Sequence, residues 1–169
     1  MNLEYTNQLP TDFSPTSRVW VYQASRLLTI SESLDAEVRI KEFVNQWQSH
    51  GDALKATAFL FFGQFVILIA DETVVGVGGC STDSSTRFMR SLGDAYGVTF
   101  LDRNHLAFVV KDKIQLLPYS QLQYGLDNGF INTETLYFNN LVAKLEDLNS
   151  KWIIPVKESW LASKIKVAQ

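Results

Sequence analysis

The stretch ATAFLFFGQFVILIAD (56–71) holds two continuous apolar runs, AFLFF (58–62) and QFVILIAD (64–71), with Gly63-Gln64 between them. Each run has the length of a strand, and unbroken rather than alternating apolarity predicts strands covered on both faces. Gly63-Gln64 predicts the turn of a hairpin. The stretch is shorter than the roughly 20 residues that span a bilayer. A hairpin of central strands is therefore the expected middle of the fold, and it argues against a strictly alternating β-α sheet.

Upstream, SRVWVYQA (17–24) sets Val19 and Val21 against Trp20 and Tyr22, which predicts a strand with two bulky faces. From Thr29 to His50 the residues Leu34, Val38, Ile40, Phe43, Val44 and Trp47 recur at helical spacing. Thr29-Ile-Ser-Glu32 fits a capping box at the start of that helix, and Gly51 fits its end. Downstream, GVGGCSTDSSTRFMR (76–90) leads into a second helix, with Phe88, Leu92, Ala95 and Tyr96 on one face and Gly97 as its stop. VTFLDRNHLAFVVKD (98–112) returns to strand character.

Strand-helix-strand-strand-helix-strand is the order of the ferredoxin-like split βαβ sandwich, an α+β fold with both helices on one face of an antiparallel sheet. Residues 17–112 are read as that core and residues 1–16, with Pro10 and Pro15, as an irregular arm. Residues 113–169 are read as a C-terminal extension, either packed on the core or a small subdomain. Within it KIQLLP predicts a strand, YSQLQYGLDNG a short helix closed by Gly129, FINTETLYF a turn into a strand, VAKLEDLN a helix and WIIPVKESW an extended finish.

A chain of 169 residues, 46% hydrophobic, can bury a full core. Its formal charge of −3 argues against the clustered basic surface that nucleic acid requires. The single cysteine, Cys80, has no intrachain partner, and MNLEYTNQLP lacks the basic and apolar regions of a signal peptide, so a cytoplasmic location is expected. Without CxxC or HExxH, and with two histidines, no metal site and no cofactor are expected.

The glycine-rich stretch before the second helix supports three chemical readings. As a phosphate cradle it fails, because Gly76, Gly78 and Gly79 match neither G-x-x-x-x-G-K-[ST] nor G-x-G-x-x-G. Cys80 at a helix N-terminus is a candidate thiolate nucleophile, with His50 and His105 as the two imidazoles that could serve it. A small buried filler is the commoner role for a lone cysteine. The third reading is structural: the glycines make a tight turn and Ser81, Thr82, Asp83 or Ser84 caps the helix. Ser81, Asp83 and Arg87, together with Asp102 and Arg103 ahead of the next strand, are the candidate binding residues.

The segments SRVWVYQASR (17–26), FVNQW with His50-Gly51, FVILIADE, GCSTDSSTRFMRSL, LDR (101–103), TLYFNNLV and W-x-x-P with a closing SW together resemble a family of short uncharacterised bacterial proteins that often carry the label "ABC transporter ATPase". The family typically reads GCSID where this chain has Gly79-Cys-Ser-Thr-Asp83, and SWH where it has Ser159-Trp160-Leu161. The label implies ATP binding, for which this chain carries no Walker A loop. Separately, Pro118, Leu122 and Gly129 to Leu136 are similar to bacterial GYF-like modules, which implies peptide or protein binding by the C-terminal part. The expected function is non-catalytic binding of a protein partner or small ligand, compatible with a homodimer and without nucleic acid. An enzyme or redox protein using Cys80 is the alternative, and an ATP-binding protein stands third.

Overall fold

The computed structural model describes residues 1–166; the last three residues of the C-terminal extension lie outside it. The protein is α+β. Its first sheet has the order β1-β5-β4, from β1 (Arg18–Gln23), β4 (Lys55–Phe61) and β5 (Phe65–Asp71), all antiparallel. The middle strand β5 is 0% exposed from Phe65 to Ala70, as its continuous apolar run requires. Its even residues Val66, Leu68 and Ala70 face α1 (Ile30–Gln46) and α2 (Gly79–Tyr96). Its odd residues Phe65, Ile67 and Ile69 face a second sheet and Trp152.

That second sheet has the order β7-β6-β8-β9, from β6 (His105–Val110), β7 (Lys113–Pro118), β8 (Leu136–Phe138) and β9 (Ile153–Pro155). Its far face carries α3 (Leu122–Asp127), Ile131 and Leu161. The layers therefore run helices, sheet, sheet, helix. The arm docks against the inter-sheet core through Tyr5 and Leu9, and the Tyr5 hydroxyl donates to the Leu148 carbonyl of α4 (Leu145–Lys151) at 2.7 Å.

The order β1-β5-β4 is that of the first three strands of a split βαβ unit. The fourth expected strand, β6, does not join them: it pairs with β7 over six residues through a turn at Lys111-Asp112 and meets β8 at Phe108↔Tyr137. The tight hairpin places β7 on one edge of β6 and β8 takes the other, which leaves no edge of β6 for β1.

Three local expectations are corrected. The turn of the central hairpin is Phe62-Gly63-Gln64, with Phe62 and Gly63 both left-handed at φ 56° and 62°. Phe62 tolerates this because its ring stacks on Trp152 and meets Phe65 and Phe138 edge-on. The first helix ends at Gln46, not near His50. Trp47 leaves the helix to donate its indole N–H to the Ser81 carbonyl at 2.9 Å, and β2 (Gln48–Ser49) and β3 (Asp52–Ala53) form a small hairpin turned by left-handed His50 and Gly51. Of the apolar residues assigned to one stripe of that helix, Ile40, Phe43, Val44 and Trp47 face inward, whereas Leu34 and Val38 are exposed.

The second helix starts at Gly79 with Gly78 as its N-cap and no side-chain cap. The hydroxyls of Thr82, Ser84, Ser85 and Thr86 lie inside it and donate back to carbonyls three or four residues earlier. Its buried line is Ser81, Ser85, Met89, Leu92 and Gly93; Ala95 is exposed.

Candidate functional site

Antiparallel strands alternate residues whose main-chain groups bond to one neighbour and to the other. In β1 the Val19 N–H donates outward to Ala143 at 3.0 Å, and the Ser17 carbonyl accepts outward from Leu145 at 2.9 Å. The odd residues of β1 therefore point their N–H and C=O away from β5. At the other end of the same edge, Ser25 N–H donates to Thr99 at 2.9 Å. Between these two clamps, Val21 and Gln23 have no main-chain partner on the outer edge among the described residues.

The interruption has a local cause. The segment that pairs with Arg18 through Lys144 peels off at a turn in which Val142 N–H bonds the Asn139 carbonyl at 3.2 Å. On the other flank, Phe100 to His105 crosses from α2 to β6. The space left is a cavity of about 270 Å3, walled by β1 from Val19 to Gln23, by Phe100 to Arg103 and His105, by Asn140 to Val142, and by Tyr137 and Trp160.

A polar chain lines its floor. The Gln23 side chain donates to the His105 carbonyl at 3.2 Å and accepts from the Asn140 amide at 2.8 Å. The Asn140 oxygen in turn accepts from the indole of fully buried Trp152 at 3.1 Å. These bonds fix the positions of β1, β6 and the 140–142 turn around the gap. Trp160 donates its indole N–H to the Tyr137 hydroxyl at 3.2 Å and stacks on Tyr119. Burial pushes the Tyr137 hydroxyl up to about 12, so it stays protonated.

The rim carries the charges. Asp102 accepts from Asn104 N–H at 2.8 Å and lies 2.7 Å from His105 Nδ1. The Asn104 N–H first, and the His105 ring after it, hold this carboxyl below the usual carboxylate range. Arg103 is exposed beside it and makes no salt bridge among the described residues. Leu141, 63% exposed, adds an apolar edge opposite.

Of the candidate residues, Asp102 and Arg103 line this cavity, whereas Cys80, Ser81, Asp83 and Arg87 do not. Ser81 is buried and donates its hydroxyl to the Gln48 carbonyl at 2.8 Å, holding the β2–β3 hairpin to α2. Asp83 and Arg87 are exposed along α2. Cys80 is exposed as well, which corrects its reading as buried filler. Of the two imidazoles, His105 is engaged with Asp102, and the His50 ring lies against Gly78, with Nε2 3.0 Å from where a Cβ there would sit. Cys80 makes no hydrogen bond to either among the described residues.

Sequence reasoning missed Gln23, Asn140 and the free edge at Val21. The available signal was a glutamine and paired asparagines closing otherwise apolar segments, VWVYQ and LYFNN. Among the described residues no helix is long and apolar enough to cross a membrane. No protein-family model, no curated protein and no solved structure matches this chain.

Proposed function

We propose that this is a binding protein whose site is the cavity beside β1, and that its ligand is a short extended peptide segment, bound as an added strand. The observation that carries this reading is the free main-chain edge of Val21 and Gln23 between two places where the chain itself pairs with that edge. Strand addition draws affinity from main-chain hydrogen bonds and selectivity from side-chain pockets on either side. Trp20, Phe100, Leu141 and Trp160 offer apolar contacts, and Asp102, Arg103 and His105 offer charge at the rim. We further read residues 18–96 as a ferredoxin-like unit whose fourth strand position, alongside β1, is the place the ligand takes. The similarity of the C-terminal part to GYF-like modules points to the same class of ligand.

The cavity's lining contains an Asp–His pair but no serine, threonine or cysteine for that pair to activate, which favours binding over nucleophilic catalysis. The experiment is selection of short random peptides against the folded chain, followed by affinity measurement on Val21→Pro. Proline removes the outward N–H without breaking a bond to β5, keeps an apolar side chain at the position, and is tolerated at such edge positions. Selected peptides should bind the parent chain and lose about tenfold or more in affinity to Val21→Pro, as expected for one main-chain bond and the strain around it. Failure to select any peptide, or equal binding by Val21→Pro with an unchanged circular dichroism spectrum, would refute the reading.

A further inference from the structure

The opposite edge of the first sheet is seven residues long and borders a groove whose other wall is α1 and Gln8 of the arm. β4 is its terminal strand, and its register with β5 runs from Lys55↔Asp71 to Phe61↔Phe65 without a bulge. Because β5 bonds to β1 through its even residues, it bonds to β4 through its odd ones, which face the odd residues of β4. Ala56, Ala58 and Leu60 therefore direct their N–H and C=O groups outward, where no main-chain group among the described residues meets them. Proteins usually guard such an edge with proline, a bulge or inward-pointing charge. β4 has no proline, and its one charge is at its first residue, Lys55, whose ammonium turns back to Asp12 and Asp71.

We propose that β4 is a homodimer interface, in which two copies pair their β4 edges antiparallel about a two-fold axis at Ala58. The edge is self-complementary in that register: Ala58 lies opposite Ala58 of the second copy, and Ala56 opposite Leu60. Three outward residues per copy then exchange about six hydrogen bonds, the full pattern of an antiparallel ladder. The two three-stranded sheets become one continuous sheet. A second copy also meets no net charge, because the ionisable groups lining the groove between this edge and α1 are Glu37 and Lys41, one of each sign. The β1 edge cannot serve in this way, since Ala143 and Thr99 clamp it at both ends.

Sedimentation equilibrium of the full chain from low to high micromolar concentration tests this. The parent chain should show a reversible monomer–dimer equilibrium. Ala58→Pro deletes an outward N–H from each copy, and so two central bonds, and should raise the dissociation constant about tenfold or more while leaving the β4–β5 ladder intact. A parent chain that stays monomeric throughout, or a folded Ala58→Pro that dimerises as well as the parent, overturns the proposal. Should Ala58→Pro fail to fold, amide exchange of the parent chain decides. Protection at Ala56, Ala58 and Leu60 that rises with concentration supports the interface, and protection independent of concentration refutes it.

Discussion

A methyl group at Gly93 would lie 2.5 Å from the Val98 carbonyl oxygen, inside any permitted contact. That carbonyl belongs to the chain reversal after α2, where Gly97 is left-handed at φ 62° and Val98 N–H bonds the Gly93 carbonyl at 3.0 Å. Gly93→Ala should therefore destabilise the fold by about 1–3 kcal/mol, the usual cost of overpacking, and thermal unfolding checks this. Asp71 makes a second prediction. Its carboxyl is lowered to about 2, first by the Thr73 side chain, then by the N–H groups of Thr73 and Ser14 and by the Lys55 ammonium. A depressed folded value means the contribution is complete above the unfolded value of about 3.9 and is lost as pH falls towards about 2. Asp71→Asn should thus lower the urea midpoint at neutral pH, and the gap to the parent chain should close as pH falls through that window. Cys80 was legible as a helix-start residue but its exposure was not, because burial depends on which face of α2 meets the sheet. Alkylation of the folded chain should run at a rate close to that of the unfolded chain, and a strongly protected thiol would contradict the placement of the α2 start.

At the scale of elements, the sequence carried most where the signal was local. The capping box at Thr29 is present in full: Glu32 N–H donates to the Thr29 hydroxyl, and Thr29 N–H to the Glu32 carboxylate, which Arg26 also grips. Thr29→Ala should lower stability by about 1 kcal/mol in chemical denaturation. The hairpin of 56–71 and the stop at Gly97 were likewise readable, since continuous apolar runs and a left-handed glycine need no distant partner. The end of α1 was not. Helical spacing continues to Trp47, but the indole's bond to Ser81 and the pairing of Gln48–Ser49 with Asp52–Ala53 are tertiary choices that override the pattern. The start of α2 misled for the opposite reason: of the residues suited to capping, Thr82 and Ser84 bond back inside the helix, Ser81 reaches the Gln48 carbonyl, Asp83 is exposed, and Gly78 takes the cap position.

For the whole molecule, the order of the long strands and helices through β6 was readable, but the small β2–β3 hairpin and the sheet that β6 joins were not. The ladder of β6 with β8 is a single register pair, Phe108↔Tyr137, between residues far apart in the chain. That choice leaves the cavity open and so underlies the proposed binding site, since a β6 laid along β1 would cover Val21 and Gln23. Asp102 and Arg103 were found as a charged pair ahead of a strand. The main-chain edge they overlook has no side-chain signature and becomes visible only once β6 is seen to depart. The most direct test follows the amide resonances of an isotope-labelled chain during titration with a selected extended peptide. A peptide bound as an added strand should shift the Val21 and Gln23 N–H signals and slow their exchange with solvent, with smaller effects at Asn140 and His105. Saturable binding that leaves Val21 and Gln23 unchanged and moves Cys80 to Arg87 instead would contradict the account.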